Sequence, residues 1–249
     1  MQPVPEVSLF PTCIVDAVKP EIGFATAHIL ERMGYAVAVP DAATCCGQPA
    51  WNAGHAEAAA EVARTTLEAL AETGQEIVVP AGSCATMIRV FWRELFELHG
   101  DAEDRELVAN VAARTFELSE FMDARGAPNG DIDDPESVVY HRSCHMQREL
   151  DIVEQPEAVL DTYIADRRRS ASEGRCCGFG GMFSIKLPEA SVAMADEVLD
   201  SLAATGAARV VSCDASCLMQ LEGRAARRGM DLAFVHLAEV ADRATGSPT

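Results

Sequence analysis

Cys45-Cys46-Gly47 and Cys176-Cys177-Gly178 each set two adjacent thiols against a glycine, and the second continues into Phe179-Gly180-Gly181. Side chains of neighbouring residues point apart in a strand, so both sulfurs reach one centre only if the chain bends between them. Glycine permits that bend because it adopts positive φ at little cost. Alone, such a pair reads equally well as two cysteines packed as small apolar groups. The flanking cysteines argue otherwise. Thirty-one residues separate Cys13 from Cys45, and thirty-one separate Cys144 from Cys176. Cys84 then follows the first pair, and Cys217 follows the second two positions later than strict repetition predicts. The chain is read as two copies of one pattern, and an internal repeat fixes the architecture before any other feature.

Four thiols in each copy suit a soft metal: tetrahedral zinc or an iron–sulfur cluster. Structural zinc usually draws its cysteines from close C-x-x-C knuckles. Here only the adjacent pair is close and the other ligands come from distant segments, which favours a cluster in a cleft. A catalytic thiol needs one cysteine with a base rather than two repeated sets. No Gly-x-Gly-x-x-Gly, Walker loop or flavin fingerprint is present.

The elements that must position these thiols alternate along the chain. Val7–Phe10, Val37–Val39 and Ile77–Val79 read as strands, with helices between them over Ile22–Met33 and Glu57–Leu70. Each cysteine falls just beyond the carboxyl end of a strand, where open α/β sheets bind ligands. Two helical segments follow, around Met87–Leu98 and Leu107–Met122. Val138–Tyr140 restarts the pattern, and Pro156, Val192–Leu202, Val210-Val211 and Leu232–Val235 continue it. The expected fold is α/β: two pseudo-repeated halves, each a mainly parallel sheet with flanking helices and cysteines on loops at the strand ends. The expected domains are 1–125 and 136–249, joined by a hydrophilic linker, 126–135, that carries Gly126, Pro128, Gly130 and the acids Asp131–Asp134. One element breaks the repeat. Arg168 and Ser170 stand where the first half has Val37 and Val39, so the matching strand is either lost or a charged edge. Arg167-Arg168-Arg169 is read as a solvated loop, with an anion or partner contact as the alternative.

The 249 residues include 49% hydrophobic and 24% charged, an ordinary globular balance. No run of about 18 apolar residues exists, so no membrane span is expected. Met1–Glu6 has neither a basic nor an apolar stretch, and no signal peptide is expected. Nine cysteines, an odd number, then favour thiols and metal in a cytoplasmic protein over disulfides. A net charge of −19 argues against a nucleic-acid partner.

Together, Cys13, Thr44–Ala50, Gly82-Ser83-Cys84, His141–His145, Cys176–Gly181 and Ser216-Cys217-Leu218-Met219 resemble the CCG-type cysteine-rich proteins, especially the lactate utilization protein A family. The resemblance spans nearly the whole chain. It implies an iron–sulfur subunit that works with companion subunits in oxidising L-lactate to pyruvate. The cluster ligands are then Cys13, Cys45, Cys46 and Cys84 in one half, and Cys144, Cys176, Cys177 and Cys217 in the other. Related domains occur in the iron–sulfur subunits of glycolate oxidase and in the cysteine-rich subunit of heterodisulfide reductase, whose pattern ends in C-x-x-C. Here Ala81 and Asp214 stand at the first position of that pair. This departure argues against disulfide-cleaving chemistry, and a conventional 4Fe–4S cluster in each half is expected. The alternatives are a subunit of another 2-hydroxy-acid oxidase, a thiol–disulfide reductase, or a structural zinc module. The iron–sulfur subunit is expected to need its partners for catalysis.

Further candidates surround the thiols. Cys213, His141 and His145 are candidate additional ligands, and the two histidines could instead hydrogen-bond, relay protons or simply pack. His55 and His236 lie near helix starts, where capping or core packing is expected. Pro49 and Trp51 are expected to shield the first site, while the Gly180-Gly181 loop leaves the second more open. Arg142 and Lys186 are candidates for binding an anion.

Overall fold

The computed structural model describes residues 3–130 and 136–246. The acids at 131–134 of the expected linker therefore lie outside the described residues. Eight strands form two sheets: β1 (Glu6–Leu9), β2 (Ala36–Ala38), β3 (Glu76–Val79) and β4 (Thr115–Glu117) in the first, and β5 (Val138–Tyr140), β6 (Arg167–Arg168), β7 (Arg209–Ser212) and β8 (Ala233–His236) in the second. Their spatial orders correspond, β2-β1-β3-β4 and β6-β5-β7-β8. Every pairing is parallel. The α/β repeat expected from the sequence is the architecture observed.

Side-chain alternation along the strands sorts the core into layers. In β3, Val78 faces a cluster shared by both halves, while Ile77 and Val79 face an outer cluster beneath the helices Ala56–Thr73, Trp92–His99 and Ala102–Ala113. In β5 and β7, Val138, Tyr140 and Val211 face the shared cluster, and Val139 and Val210 face an outer cluster under the helices Pro188–Ala203 and Ala215–Arg228. The central layer joins the halves. Ile22, Ala25, Ile29 and Leu30 of the helix Pro20–Arg32 share it with Leu237, Ala238, Val240 and Ala241 of the helix Leu237–Ala244.

Two local expectations change. The stretch Leu107–Met122 is not one helix: helix Ala102–Ala113 ends, β4 adds a fourth strand, and helix Leu118–Arg125 follows. The Glu117 carboxylate accepts from the Ser119 and Glu120 amides, and the Glu120 carboxylate accepts from the Glu117 N–H, a capping box that restarts the helix directly after the strand. The doubtful strand of the second half exists as the two-residue edge β6, with Arg167 opposite Val138 and Arg168 opposite Val139. Its arginines are paired locally, Arg167 with Glu157 and Asp161 and Arg168 with Asp166. Short length and charge are how an edge strand avoids pairing with other chains.

Candidate metal centre

Each half delivers its four thiols in the same way. Cys13 and Cys144 open short helices just beyond β1 and β5. Cys84 and Cys217 sit in the first turns of the helices Gly82–Thr86 and Ala215–Arg228, which follow β3 and β7. Only the adjacent pairs lie on loops. The glycine after each pair has a fixed geometric task. Gly47 has φ +84°, and a Cβ there would meet the Ala59 carbonyl oxygen at 2.6 Å. Gly178 has φ +83°, and a Cβ would meet the Ser191 carbonyl oxygen at 2.5 Å. Both the positive φ and the close helix therefore demand glycine. The turn also aims an amide at the preceding thiol: Gly47 N lies 3.5 Å from Cys45 Sγ, and Gly178 N lies 3.4 Å from Cys176 Sγ.

The sulfurs gather in pairs. Cys46 and Cys84 are 3.2 Å apart, as are Cys177 and Cys217, while Cys13 and Cys45 are 3.7 Å apart. Thiolates this close repel unless a proton or cation lies between them. Within the first set, hydrogen bonds from Cys13 and Cys46 hold Cys45 down to about 3, and the same contact with Cys45 pushes Cys13 up. In the second set, hydrogen bonds from Cys144 and Cys177 hold Cys176 down to about 2, and Cys144 is pushed up by its contact with Cys176. Each set thus places a thiol that gives up its proton readily, Cys45 or Cys176, against a neighbour that holds its own, Cys13 or Cys144. That donor chemistry suits a metal or an iron–sulfur cluster, whose binding displaces the protons.

All eight repeated cysteines line one cavity of about 360 Å³. The halves meet around it. Gln48 Nε2 donates to the Ser83 carbonyl at 3.0 Å and lies 3.4 Å from His145 Nδ1 of the other half. The amide of Gly82 donates to the Cys213 carbonyl at 3.2 Å, and that of Ser83 to Asp214 Oδ2 at 2.8 Å. Asp214 also accepts from the Ser216 N–H at 3.1 Å, capping the helix that carries Cys217. One buried carboxylate therefore ties the Cys84 turn to the Cys217 turn. From sequence alone, Asp214 is only the residue standing where a related pattern has cysteine. The Asp-x-Ser pattern at a helix start is the available signal for a cap, but its reach to Ser83 is tertiary.

Two stretches of the chain, 7–89 and 138–222, match the family model described as a CCG cysteine-rich domain. The chain is also 38% identical to lactate utilization protein A 2 of Bacillus cereus (strain Q1) over 237 residues, covering 94% of this chain and 97% of that one. It is 37% identical to lactate utilization protein A of Exiguobacterium sp., covering 95% and 97%, and 38% identical to the Bacillus thuringiensis (strain Al Hakam) protein, covering 94% and 98%. The chain belongs to the lactate utilization protein A family. Its two matched stretches contain all nine cysteines.

The remaining candidates separate by position. His145 lies on the cavity wall, with its ring edge-on to Phe91 at 6.2 Å. His141 is buried beside Cys177 and Cys217, with one ring nitrogen within 4.8 Å of both sulfurs. Cys213 is fully buried in the central layer, where the Tyr140 hydroxyl lies 3.4 Å from its sulfur. His236 caps the helix Leu237–Ala244 through Nδ1, which accepts from the Ala238 N–H at 3.1 Å. His55 occupies the N-cap position of the helix Ala56–Thr73 but makes no side-chain cap bond. Trp51 packs on Phe91, with ring centroids 6.3 Å apart, and is not among the cavity-lining residues. Pro49, the other expected shield, does line the cavity with the first pair, and the Gly180-Gly181 turn packs directly on it. The expected difference in openness is not seen: Cys46, Cys84, Cys177 and Cys217 are buried, and Cys13, Cys45, Cys144 and Cys176 are half-buried. Arg142 is committed to Glu157 and to Glu173, 3.0 Å away, and Lys186 is exposed at the end of the short helix Met182–Lys186.

No helix among the described residues is long and apolar enough to cross a membrane.

Proposed function

We propose that the chain is the iron–sulfur electron-transfer subunit of a cytoplasmic complex that oxidises L-lactate to pyruvate. The observation that carries this reading is the pair of repeated four-thiol sets facing one cavity. The names of its relatives supply the substrate class. Cys13, Cys45, Cys46 and Cys84 would hold one 4Fe–4S cluster, and Cys144, Cys176, Cys177 and Cys217 a second. Such clusters supply one-electron transfer. Oxidising L-lactate to pyruvate releases two electrons and two protons, so a companion subunit bearing a hydride acceptor must meet the substrate first. Residues 1–125 and 136–249 would act as the two cluster-bearing halves, with 126–135 connecting them. Around the thiols, the chain's own groups hold the centres in place: the Gly47 and Gly178 amides face the Cys45 and Cys176 sulfurs, and Gln48, through His145, and Asp214, through Ser83, join the loops of the two halves.

The test is anaerobic reduction followed by visible absorbance. L-Lactate should bleach the cluster bands of the purified chain only when its companion proteins are added. Bleaching by glycolate but not lactate would transfer the reading to another 2-hydroxy acid, and robust lactate oxidation by this chain alone would contradict a pure relay.

A further inference from the structure

Phe10 and His141 occupy the same place in the repeat. Each follows the first strand of its sheet, and each amide donates to the neighbouring strand: Phe10 N to the Val78 carbonyl at 3.0 Å, and His141 N to the Val211 carbonyl at 2.8 Å. Strand alternation sends both side chains to the outer side of their sheets, where the innermost thiols lie. Phe10 packs there in the same apolar cluster as Cys46 and Cys84. In the second half that niche holds an imidazole, 2% exposed, with a ring nitrogen within 4.8 Å of the sulfurs of Cys177 and Cys217.

His141 Nε2 is buried and has no hydrogen-bond partner among the described residues. An unpaired buried polar atom is destabilising, and Phe10 shows that the fold can fill this niche with a ring that carries no such cost. A neutral imidazole carries one N–H donor and one acceptor nitrogen. The second half already has the same four thiols as the first, so the imidazole is surplus to a four-cysteine set. What it adds is a hydrogen-bond donor at one corner of that set.

We propose that His141 donates its ring N–H to the sulfur corner made by Cys177 and Cys217 when the second-half cluster is bound, setting that cluster's reduction potential above that of the first half. The inference rests on the iron–sulfur reading given above. Hydrogen bonds to cluster sulfur stabilise the more negative reduced state and so raise the potential. His141 is thus a positioning and tuning residue rather than a ligand, and it makes two otherwise matching centres unequal.

The test uses the full chain reconstituted anaerobically with iron and sulfide, and an electron paramagnetic resonance redox titration of wild type, His141→Phe, His141→Gln and Phe10→His. Wild type should show two transitions. His141→Phe should keep the wild-type iron content and shift the higher transition down toward the lower. His141→Gln, which keeps an N–H donor, should retain part of the separation, and Phe10→His should raise the lower transition. Unchanged potentials in His141→Phe would overturn the inference. So would the loss of about half the iron from a His141→Phe variant with native circular dichroism, which would make His141 a ligand in a four-donor cluster site. Failure of the wild type to take up iron and sulfide would overturn the iron–sulfur reading itself, and this inference with it.

Discussion

The two halves agree in their thiols and differ in what surrounds them. Cys46 with Cys84 and Cys177 with Cys217 are equally spaced, and both adjacent pairs turn on a glycine near φ +84°. Around this frame Phe10 is matched by His141, Ala81 by Asp214, and Glu117 by His236. The last two end the fourth strands, opposite Val79 and Ser212, and each caps the helix that follows. The comparison teaches that the repeat fixes where sulfur must be, while the neighbouring polar groups are free to give each centre its own electrostatics and each half its own role in the joint.

The sharpest way to break this comparison is to remove one inner thiol from each half. Cys46→Ser and Cys177→Ser should each lose about half the bound iron, because four thiolates hold one cluster, and the visible absorbance should fall in proportion. Cys213→Ala should leave iron content unchanged, since its sulfur sits in the central layer with Tyr140. Complete iron loss from either serine variant would mean that the halves form one inseparable centre.

Exchanging a surrounding group should cost less. Asp214→Ala gives the second half the residue of the first, deleting both a helix cap and the bond to the Ser83 amide. The expected destabilisation is about 1–3 kcal/mol in anaerobic urea unfolding. No change in the midpoint would show that the Asp214 bonds contribute nothing to holding the two turns together.

The smallest effects are the opposed pH responses of the two strand-end caps. Burial raises Glu117 to about 8 and lowers His236 to about 4. The folded chain keeps the Glu117 proton that the unfolded chain releases near 4.5, so this contribution is fully present below about 4.5 and is lost as pH rises toward about 8. For His236 the folded state favours the neutral ring, so its contribution is present above about 6.5 and is lost as pH falls toward about 4. Glu117→Gln should therefore flatten the alkaline side of a stability–pH profile, and His236→Asn the acid side. Identical profiles for the two variants would remove this distinction between the halves.

The repeat, the parallel α/β class and the grouping of four thiols within each half were legible in the sequence because each is written locally, in adjacent cysteines, glycine turns and apolar runs ahead of them; that both sets face one cavity was not. The strand β4 was not legible: Thr115-Phe116-Glu117 is three residues long and lies between two helices that share one apolar pattern. The Arg167–Arg168 edge was equally obscure, since its charges reflect local ion pairs rather than a buried face. His141 and His145 both stand out in the sequence, but the burial of His141 beside Cys177 and Cys217 and the place of His145 on the cavity wall follow from strand alternation and helix placement. The roles of Asp214 and Gln48 depend on contacts across the joint between the halves, which no local pattern encodes. Trp51 misleads for a simple reason: nearness in sequence to a thiol pair does not place a side chain over it.

The most direct test of the account is the iron and acid-labile sulfide content of the anaerobically purified chain, with zinc measured on the same sample. Two 4Fe–4S clusters predict about eight iron and eight sulfide per chain, in a brown protein whose colour bleaches on reduction. A colourless protein holding zinc and no sulfide would contradict it.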